Sequence, residues 1–400
     1  MADELWAQPV TALAALIRGR EVSSIEVVQS CLSRIEAVNP VLNAVVTLAP
    51  DALDRARAAD RAIARGASLG QLHGVPCTIK DSLDTAGLRT TAGTIGWRDR
   101  VPDRDATAVI RVKAAGAIVL GKTNTPEFTW SDETDNDVFG RTSNPYDVER
   151  TPGGSSGGAA AIVAAGGSPF DIGSDTGDSI RQPAHVCGIA GIKPTQGRVP
   201  RTGHWPSFGG LVGSLQQLGP LARRVDDLAL LLPILAGPDG EDPHVAPVPL
   251  GDPATVDVAG LRVAAFTDNG VRTPTPETIA TVADAAAAPL GCRSDRGLGR
   301  ATRSRRGVGG VGRLHPRRRL RLASATHRGC RNAGPRVVRH ARLARPDPAG
   351  RRRRAVGARR AGGRDSVAPP AMVRALRPDR LSGDAPARDP PRREHSRVVR

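Results

Sequence analysis

The chain has 400 residues and a formal net charge of +17, but this charge is concentrated at one end. Residues 291–400 hold 32 Arg, no Lys and 7 acidic residues, a net of +25, whereas residues 1–290 hold 25 basic and 33 acidic groups, a net of −8. The five cysteines are widely spaced, which indicates neither a disulfide framework nor a zinc site. No secretory signal is visible, and no apolar run approaches the roughly 18 residues of a membrane helix. We therefore expect a cytoplasmic protein without a membrane partner.

Helical and strand patterns alternate along the first part of the chain. Ser23 and Glu26 form a capping-box pattern, and the apolar residues after it recur at helical spacing until Asn39-Pro40, where we expect the helix to end. The next expected elements are a helix from Asp51 to Ala64, a strand from Val75 to Ile79, a helix from Asp105 to Ala115 and a strand from Ala117 to Leu120. This alternation predicts a wound α/β sheet in one domain.

Residues 151–191 are rich in Gly, Ser and Ala, a composition that also occurs in flexible linkers. However, Ala159 to Ala165 favours a helix and Phe170 to Ile172 favours a short strand, so we expect a folded segment. Residues 153–157 match the G-x-S-x-G pattern of a nucleophile elbow, with Ser155 at its centre. Such an elbow follows an apolar strand, and the polar, proline-containing segment before residue 153 argues against one.

Residues 289–400 differ from the rest in composition, because they consist mainly of Arg, Gly, Ala and Pro and show no sustained period. One interpretation is a basic arm that neutralises nucleic-acid phosphates. The other interpretation, which we favour, is a GC-rich gene read out of frame. We therefore predict two regions, 1–288 and 289–400, and a frameshift near residue 288 that replaced the true C-terminal third.

Several motifs of the first region occur together in one known family. They are Gly74-Val-Pro-Cys-Thr-Ile-Lys-Asp81, Gly121-Lys-Thr-Asn-Thr-Pro-Glu-Phe128, Thr151-Pro-Gly-Gly-Ser-Ser-Gly-Gly158, Gly173-Ser-Asp-Thr-Gly-Asp-Ser-Ile-Arg181 and Cys187-Gly-Ile-Ala-Gly-Ile-Lys-Pro-Thr195. In this order they resemble the amidase-signature family, from about residue 5 to residue 288. The resemblance implies an α/β fold with a large, twisted mixed β-sheet flanked by helices, which in this chain would be incomplete at the C-terminus.

The resemblance also implies a catalytic set, with Ser179 as the nucleophile, Ser155 as a bridging serine and Lys80 as the base. A serine hydroxyl is a weak nucleophile until a base removes its proton. Lysine can act as that base only when it is uncharged, and its pKa must therefore fall by about 3 units. Burial at the end of an apolar strand would shift the pKa of Lys80 in that direction.

Further roles follow from the same resemblance. A cis peptide bond is implied at Gly154–Ser155, and no metal or organic cofactor is implied. The implied oxyanion-hole donors are the backbone N–H groups of Thr176, Gly177, Asp178 and Ser179, and the implied supporting residues are Ser174, Asp175 and Arg181. Most relatives have glycine where this chain has Asp178. A carboxylate beside a developing oxyanion is unfavourable, so Asp178 must point away from it or pair with a cation.

We therefore expect an amidase that acts on a small-molecule amide through an acyl-enzyme on Ser179. One alternative is the glutaminase-type subunit of a tRNA-dependent amidotransferase. A second alternative, which we consider weaker, is a nucleic-acid-binding protein that uses the basic tail. A third follows from the frameshift hypothesis, because a chain without the last strands and helices would be an inactive fragment. The sequence leaves a homodimer open.

Overall fold

The computed structural model describes residues 2–207, 209–257 and 264–287, all within the first predicted region. Within these residues the α-helices are α1 (Val10–Arg18), α2 (Ser24–Leu42), α3 (Ala52–Ala64), α4 (Thr107–Ala114), α5 (Gly157–Ala165), α6 (Arg181–Val186), α7 (Gly210–Leu215), α8 (Val225–Leu235) and α9 (Pro276–Ala287). The strands are β1 (Val45–Leu48), β2 (Pro76–Lys80), β3 (Ile118–Thr123), β4 (Phe170–Asp175), β5 (Ala190–Gly191) and β6 (Gln217–Ala222). Short 3-10 helices cover Ala2–Ala7, Ile95–Trp97, Glu127–Thr129 and Pro253–Thr255.

The six strands form one sheet in the order β1-β3-β2-β4-β6-β5. Strand β2 runs parallel to both β3 and β4, whereas the β1–β3, β4–β6 and β5–β6 pairs are antiparallel. All residues of β2, β3, β4 and β6 are buried, as expected for central strands covered on both faces. The expectation of a mixed α/β sheet flanked by helices is confirmed.

The start of α2 follows the sequence pattern, but its end does not. The side chain of Ser23 accepts a hydrogen bond from the Glu26 N–H, and the Glu26 carboxylate accepts one from the Ser23 N–H, as the capping box predicts. The prediction that the helix ends at Asn39-Pro40 is wrong, because α2 continues through Pro40 to Leu42. Asn43 caps the end of the helix, because it adopts the left-handed conformation and donates its N–H to the Asn39 carbonyl.

One central strand extends beyond its predicted end. Strand β2 ends at Lys80, where the sequence places the end of the strand, whereas β3 continues three residues beyond Leu120 to Thr123. The reason is pairing between strands, since Lys80 is in register with Thr123 across the parallel β2–β3 pair. Polar residues are thereby included in buried strands, which a hydropathy pattern does not predict.

The parallel β2–β4 pair determines where the sequence motifs meet. Thr78 is in register with Asp171 and Ile79 with Ile172, so the carboxyl ends of both strands lie at the same edge of the sheet. Lys80 ends β2 at this edge, and Ser174 and Asp175 end β4 there. The fold therefore brings together side chains that are far apart in sequence.

The predicted boundary at residue 288, the tail 289–400 and any nucleic-acid contact through that tail lie outside the described residues. In the part of the chain that is described, none of the helices combines the length and the apolar character that a membrane span requires.

Candidate active site

Lys80 lies at the end of β2 and is completely buried. Its Nζ atom donates hydrogen bonds to three serine hydroxyls: Ser155 at 2.6 Å, Ser156 at 2.9 Å and Ser174 at 3.0 Å. Ser155 and Ser156 belong to the loop before α5, and Ser174 belongs to β4. The amine is thus surrounded by neutral hydroxyls, and no described carboxylate forms an ion pair with it.

This environment changes the protonation of Lys80. Burial lowers its pKa to about 7, because the charged form loses its hydration, and this effect outweighs the opposing influence of Asp175 and Asp171. A large fraction of Lys80 is therefore uncharged at neutral pH. An uncharged amine within 2.6 Å of the Ser155 hydroxyl can accept its proton.

The loop that carries Ser155 is held by contacts on both sides. Its Gly154–Ser155 peptide bond is cis, as the resemblance implies. The Gly154 N–H donates to the Gln182 side chain at 3.0 Å. The Thr134 hydroxyl donates to the Gly153 carbonyl at 2.8 Å and accepts from the Gly157 N–H at 3.0 Å. Thr134 therefore binds this loop before and after Ser155.

Close approach of the backbone explains the glycines of this loop. A Cβ atom at Gly154 would lie 2.7 Å from the backbone nitrogen of Glu133, and one at Gly158 would lie 2.4 Å from the backbone nitrogen of Asn124. Real Cβ atoms do not approach backbone this closely, so only glycine fits at both positions. The glycine-rich composition reflects packing and not linker flexibility.

Asp175, the last residue of β4, organises the turn that leads to Ser179. Its carboxylate accepts hydrogen bonds from the backbone N–H groups of Asp178 at 2.9 Å and Ile180 at 3.0 Å, and from the Arg181 guanidinium at 3.0 Å. Burial alone would raise the pKa of Asp175, but these hydrogen bonds hold it below its usual value. Asp175 and Arg181 thus have contacts that suit the supporting roles expected from the sequence.

Ser179 is half-buried and lies next to the Ser155 loop, since its carbonyl accepts the Ser156 N–H at 3.2 Å. The expected relay consists of two links, from Lys80 to Ser155 and from Ser155 to Ser179. The first link is present as a hydrogen bond. Within the described residues the Ser179 hydroxyl makes no hydrogen bond, so the second link stays a prediction.

One expectation about the oxyanion hole requires a correction. The Asp178 N–H is not a free donor, because it points to the Asp175 carboxylate at 2.9 Å and is already used. The N–H groups of Thr176, Gly177 and Ser179 remain the candidates. The expected cation partner of the Asp178 side chain is present, because its carboxylate lies 3.2 Å from the Arg181 Nε atom.

The structure adds two polar residues to this region that sequence reasoning did not identify. Ser156 contacts Lys80, and its position beside Ser155 in the Ser-Ser pair was the available signal. Lys122 of β3 is also completely buried, and burial lowers its pKa to about 8. It donates to the Leu83 carbonyl and to the hydroxyls of Thr85 at 2.8 Å and Thr90 at 3.2 Å. It thereby holds the segment that follows Lys80.

Comparison with known proteins identifies the family. A sequence model of the family described as Amidase matches residues 26–288, more than half of the chain. The chain belongs to the amidase-signature family. Among curated proteins, this amidase-signature chain is 45% identical over 264 residues to a glutamyl-tRNA(Gln) amidotransferase subunit of Moorella thermoacetica, an alignment that covers 65% of this chain and 53% of that protein. The corresponding subunit from Chloroflexus aurantiacus is 44% identical over 267 residues, with coverages of 65% and 53%. The chain spans about half the length of these relatives.

Solved structures that superpose on this chain include enzymes of the same family. A fatty acid amide hydrolase superposes with a TM-score of 0.68 at 28% identity, covering 72% of this chain and 52% of that one. A bacterial aryl acylamidase of the amidase-signature family superposes with a TM-score of 0.64 at 33% identity, covering 71% and 59%. The family resemblance and the mixed-sheet fold expected from the sequence are therefore confirmed.

Replacing Asp175 tests the role of its carboxylate in holding the turn before Ser179. Asp175→Asn removes the negative charge that accepts these hydrogen bonds, and we expect the free energy of unfolding to fall by about 2 kcal/mol at pH 7. Because folding lowers the pKa of Asp175, its stabilisation is present above the usual carboxyl pKa near 4 and is lost as the pH falls through the lower folded value.

Urea denaturation of both proteins between about pH 3 and pH 7 measures this effect. The difference between them should shrink below about pH 4. Asp54→Asn is the matched control, since Asp54 forms an exposed i,i+3 ion pair with Arg57 on α3 and should change stability by less than about 0.5 kcal/mol. Equal losses for Asp175→Asn and the control would contradict the role of Asp175.

Proposed function

We propose that the chain hydrolyses a carboxamide to a carboxylate and ammonia or an amine, through an acyl-enzyme on Ser179. The single observation that carries this proposal is the buried Lys80, which has a pKa of about 7 and lies 2.6 Å from Ser155. A general base for a serine nucleophile requires such a pKa. Lys122 is also buried and has a lowered pKa, but it contacts other groups, so the contact with the Ser155 hydroxyl is what distinguishes Lys80.

The proposed reaction uses only groups of the described site and water. Uncharged Lys80 takes the proton of Ser155 while Ser155 takes the proton of Ser179, and the Ser179 oxygen forms a bond to the amide carbon. The C–N bond then breaks, and the leaving nitrogen receives the proton that returns from Lys80 through Ser155. Water, activated by the same relay, hydrolyses the ester and releases the carboxylate.

The developing negative charge on the amide oxygen needs donors near Ser179. The proposed donors are the N–H groups of Thr176, Gly177 and Ser179, which lie in the turn that Asp175 holds. Fixed backbone donors of this kind stabilise an oxyanion by several kcal/mol, typically about 3 for one donor. The balanced reaction involves no cofactor, as the family resemblance implies.

A second candidate function is the glutaminase activity of a tRNA-dependent amidotransferase. The observation that favours it is the name shared by the curated relatives, which are 44–45% identical to this chain. A glutaminase of this type would release ammonia from glutamine and associate with partner proteins, whereas an independent amidase would act alone.

The cytoplasmic location expected from the sequence and a homodimer stay predictions.

Ammonia release separates these two functions. If the chain is an independent amidase, the 400-residue chain alone should release ammonia from simple carboxamides, such as aromatic amides, at least about tenfold faster than from glutamine. A coupled glutamate dehydrogenase assay measures the ammonia. A higher rate with glutamine, increased by co-expressed amidotransferase partners, would favour the second function instead.

Fluorophosphonate labelling tests the proposed nucleophile. In this reaction the Ser179 oxygen forms a bond to phosphorus, the P–F bond breaks, fluoride leaves and the serine proton passes to Lys80. Ser179→Ala should abolish labelling, and Ser155→Ala should slow it by about 10²- to 10⁴-fold because the relay is broken. Ser33→Ala, on the exposed face of α2, is the control and should label at the unchanged rate.

Intact-protein mass spectrometry measures the rates, and circular dichroism checks that each variant is folded. Labelling of Ser179→Ala at the original rate would exclude Ser179 as the nucleophile. A folded but unlabelled original chain would support the inactive-fragment hypothesis and contradict the proposed activity.

The pH dependence of labelling tests Lys80 as the base. Because only uncharged Lys80 accepts a proton, the rate should rise with pH around a midpoint near 7 and fall about tenfold per pH unit below it. Asp171 is buried near Lys80, and its negative charge raises the pKa of the amine, so Asp171→Asn should move the midpoint to lower pH by removing that charge.

Two variants complete this test. Lys80→Met should lose most of the labelling rate, and the remaining rate should show no pH midpoint near 7. Lys113→Met is the control, because Lys113 is paired with Asp105 outside the site. The pH midpoint of labelling in this variant should remain near 7. A midpoint that persists in Lys80→Met would show that another group is the base.

A further inference from the structure

Asp178, directly before Ser179, is in an unusual backbone conformation. Its φ angle is +98°, in the region that favours glycine, and glycine is the residue that the family resemblance implies here. An aspartate therefore stands where the backbone conformation favours glycine. Such outliers beside reactive groups are a reason to look for a function of the side chain.

The charges around this position do not cancel. Asp175 and Asp178 share a single guanidinium, that of Arg181, which lies 3.0 Å from Asp175 and 3.2 Å from Asp178. These three residues therefore have a net charge of −1. Asp175 is buried, whereas the Asp178 carboxylate is about half exposed and faces solvent next to the nucleophile.

A second acidic element lies against the loop that carries Ser155. In the segment 131–137, Thr134 and Asn136 are buried, and the carboxylate-bearing residues around them are exposed: Asp132, Glu133, Asp135 and Asp137. Thr134 hydrogen-bonds the Ser155 loop on both sides, as described above, so the segment is fixed beside the relay. Among the described residues, none of the four carboxylates forms an ion pair.

The segment also lacks compensating positive charge in sequence. No Lys or Arg occurs between Lys122 and Arg141, whereas five acidic residues do. Arg181 is engaged with two carboxylates, and Lys80 is largely uncharged above pH 7. Two independent elements, the turn before Ser179 and the segment held against the Ser155 loop, therefore carry carboxylates that the described ion pairs do not fully neutralise.

We propose that this site selects amide substrates that carry a positively charged group, such as an ammonium or guanidinium, and that Asp178 is a specificity-determining residue. This inference rests on the proposed amidase function. A cation beside Ser179 would gain from the shared, incompletely neutralised carboxylates, and a substrate anion would be repelled by them. The substrate cation would also neutralise a charge that otherwise opposes the developing oxyanion.

A pair of fluorophosphonates tests this proposal on the full chain. Both have the same linker length; one ends in a trimethylammonium group and the other in an uncharged tert-butyl group of similar shape. We expect the cationic probe to label Ser179 about fivefold faster at low salt, the size of an exposed charge–charge interaction, and the ratio to approach one at about 1 M salt.

Variants then assign the preference to Asp178. Asp178→Asn and Asp178→Gly should lower the cationic-to-neutral ratio to about twofold or less, with the neutral probe measured on the same variant as the reference. Asp54→Asn removes the same charge from an exposed i,i+3 pair on α3 and should leave the ratio unchanged.

The outcomes separate the two proposals. Labelling by neither probe in a folded chain would contradict the amidase function itself. Labelling by both probes at equal rates would leave the function standing and overturn the charge selectivity. A cationic preference that persists in both Asp178 variants would overturn the assignment to Asp178.

Discussion

The burial of one lysine among hydroxyl groups is the constraint on which the rest of this structure depends. Lys80 is removed from water and is given three serine oxygens but no carboxylate in contact among the described residues. A carboxylate in contact would have raised the pKa of Lys80 and kept it charged, so that it could not accept a proton at neutral pH. The arrangement therefore requires neutral partners at hydrogen-bonding distance, and they come from two elements, the loop before α5 and strand β4, each of which must be held in place.

The sheet and two turns provide that support. The parallel register of β2 and β4 aligns Lys80 with the end of the strand that carries Ser174 and Asp175. Asp175 fixes the following turn through backbone N–H groups, and the Ser156 N–H ties that turn to the glycine-rich loop. Lys122 holds the segment after Lys80. Burial of polar groups is tolerated here because these groups hydrogen-bond one another.

Much of this could be predicted from the sequence, and the limits have physical causes. Periodicity located α2, α3 and the central strands, and the motif order indicated the family and the residues around Lys80. The end of α2 was missed because Asn43, and not Pro40, determines it. The use of the Asp178 N–H by Asp175 was missed because hydrogen bonding within a turn depends on backbone angles that a motif does not specify. The buried position of Lys122 depends on strand pairing.

The two hydrogen bonds of Thr134 have a consequence for how such a site can change over time. They connect the acidic segment to the Ser155 loop through one buried hydroxyl, while the neighbouring carboxylates are exposed and make no hydrogen bonds to the relay groups. Substitutions at the exposed positions can therefore alter the charge of the surface beside the Ser155 loop without displacing the proton-transfer groups. The exposed carboxylates and the proton-transfer groups are both held by Thr134, but the carboxylates can change during evolution while the proton-transfer groups stay the same.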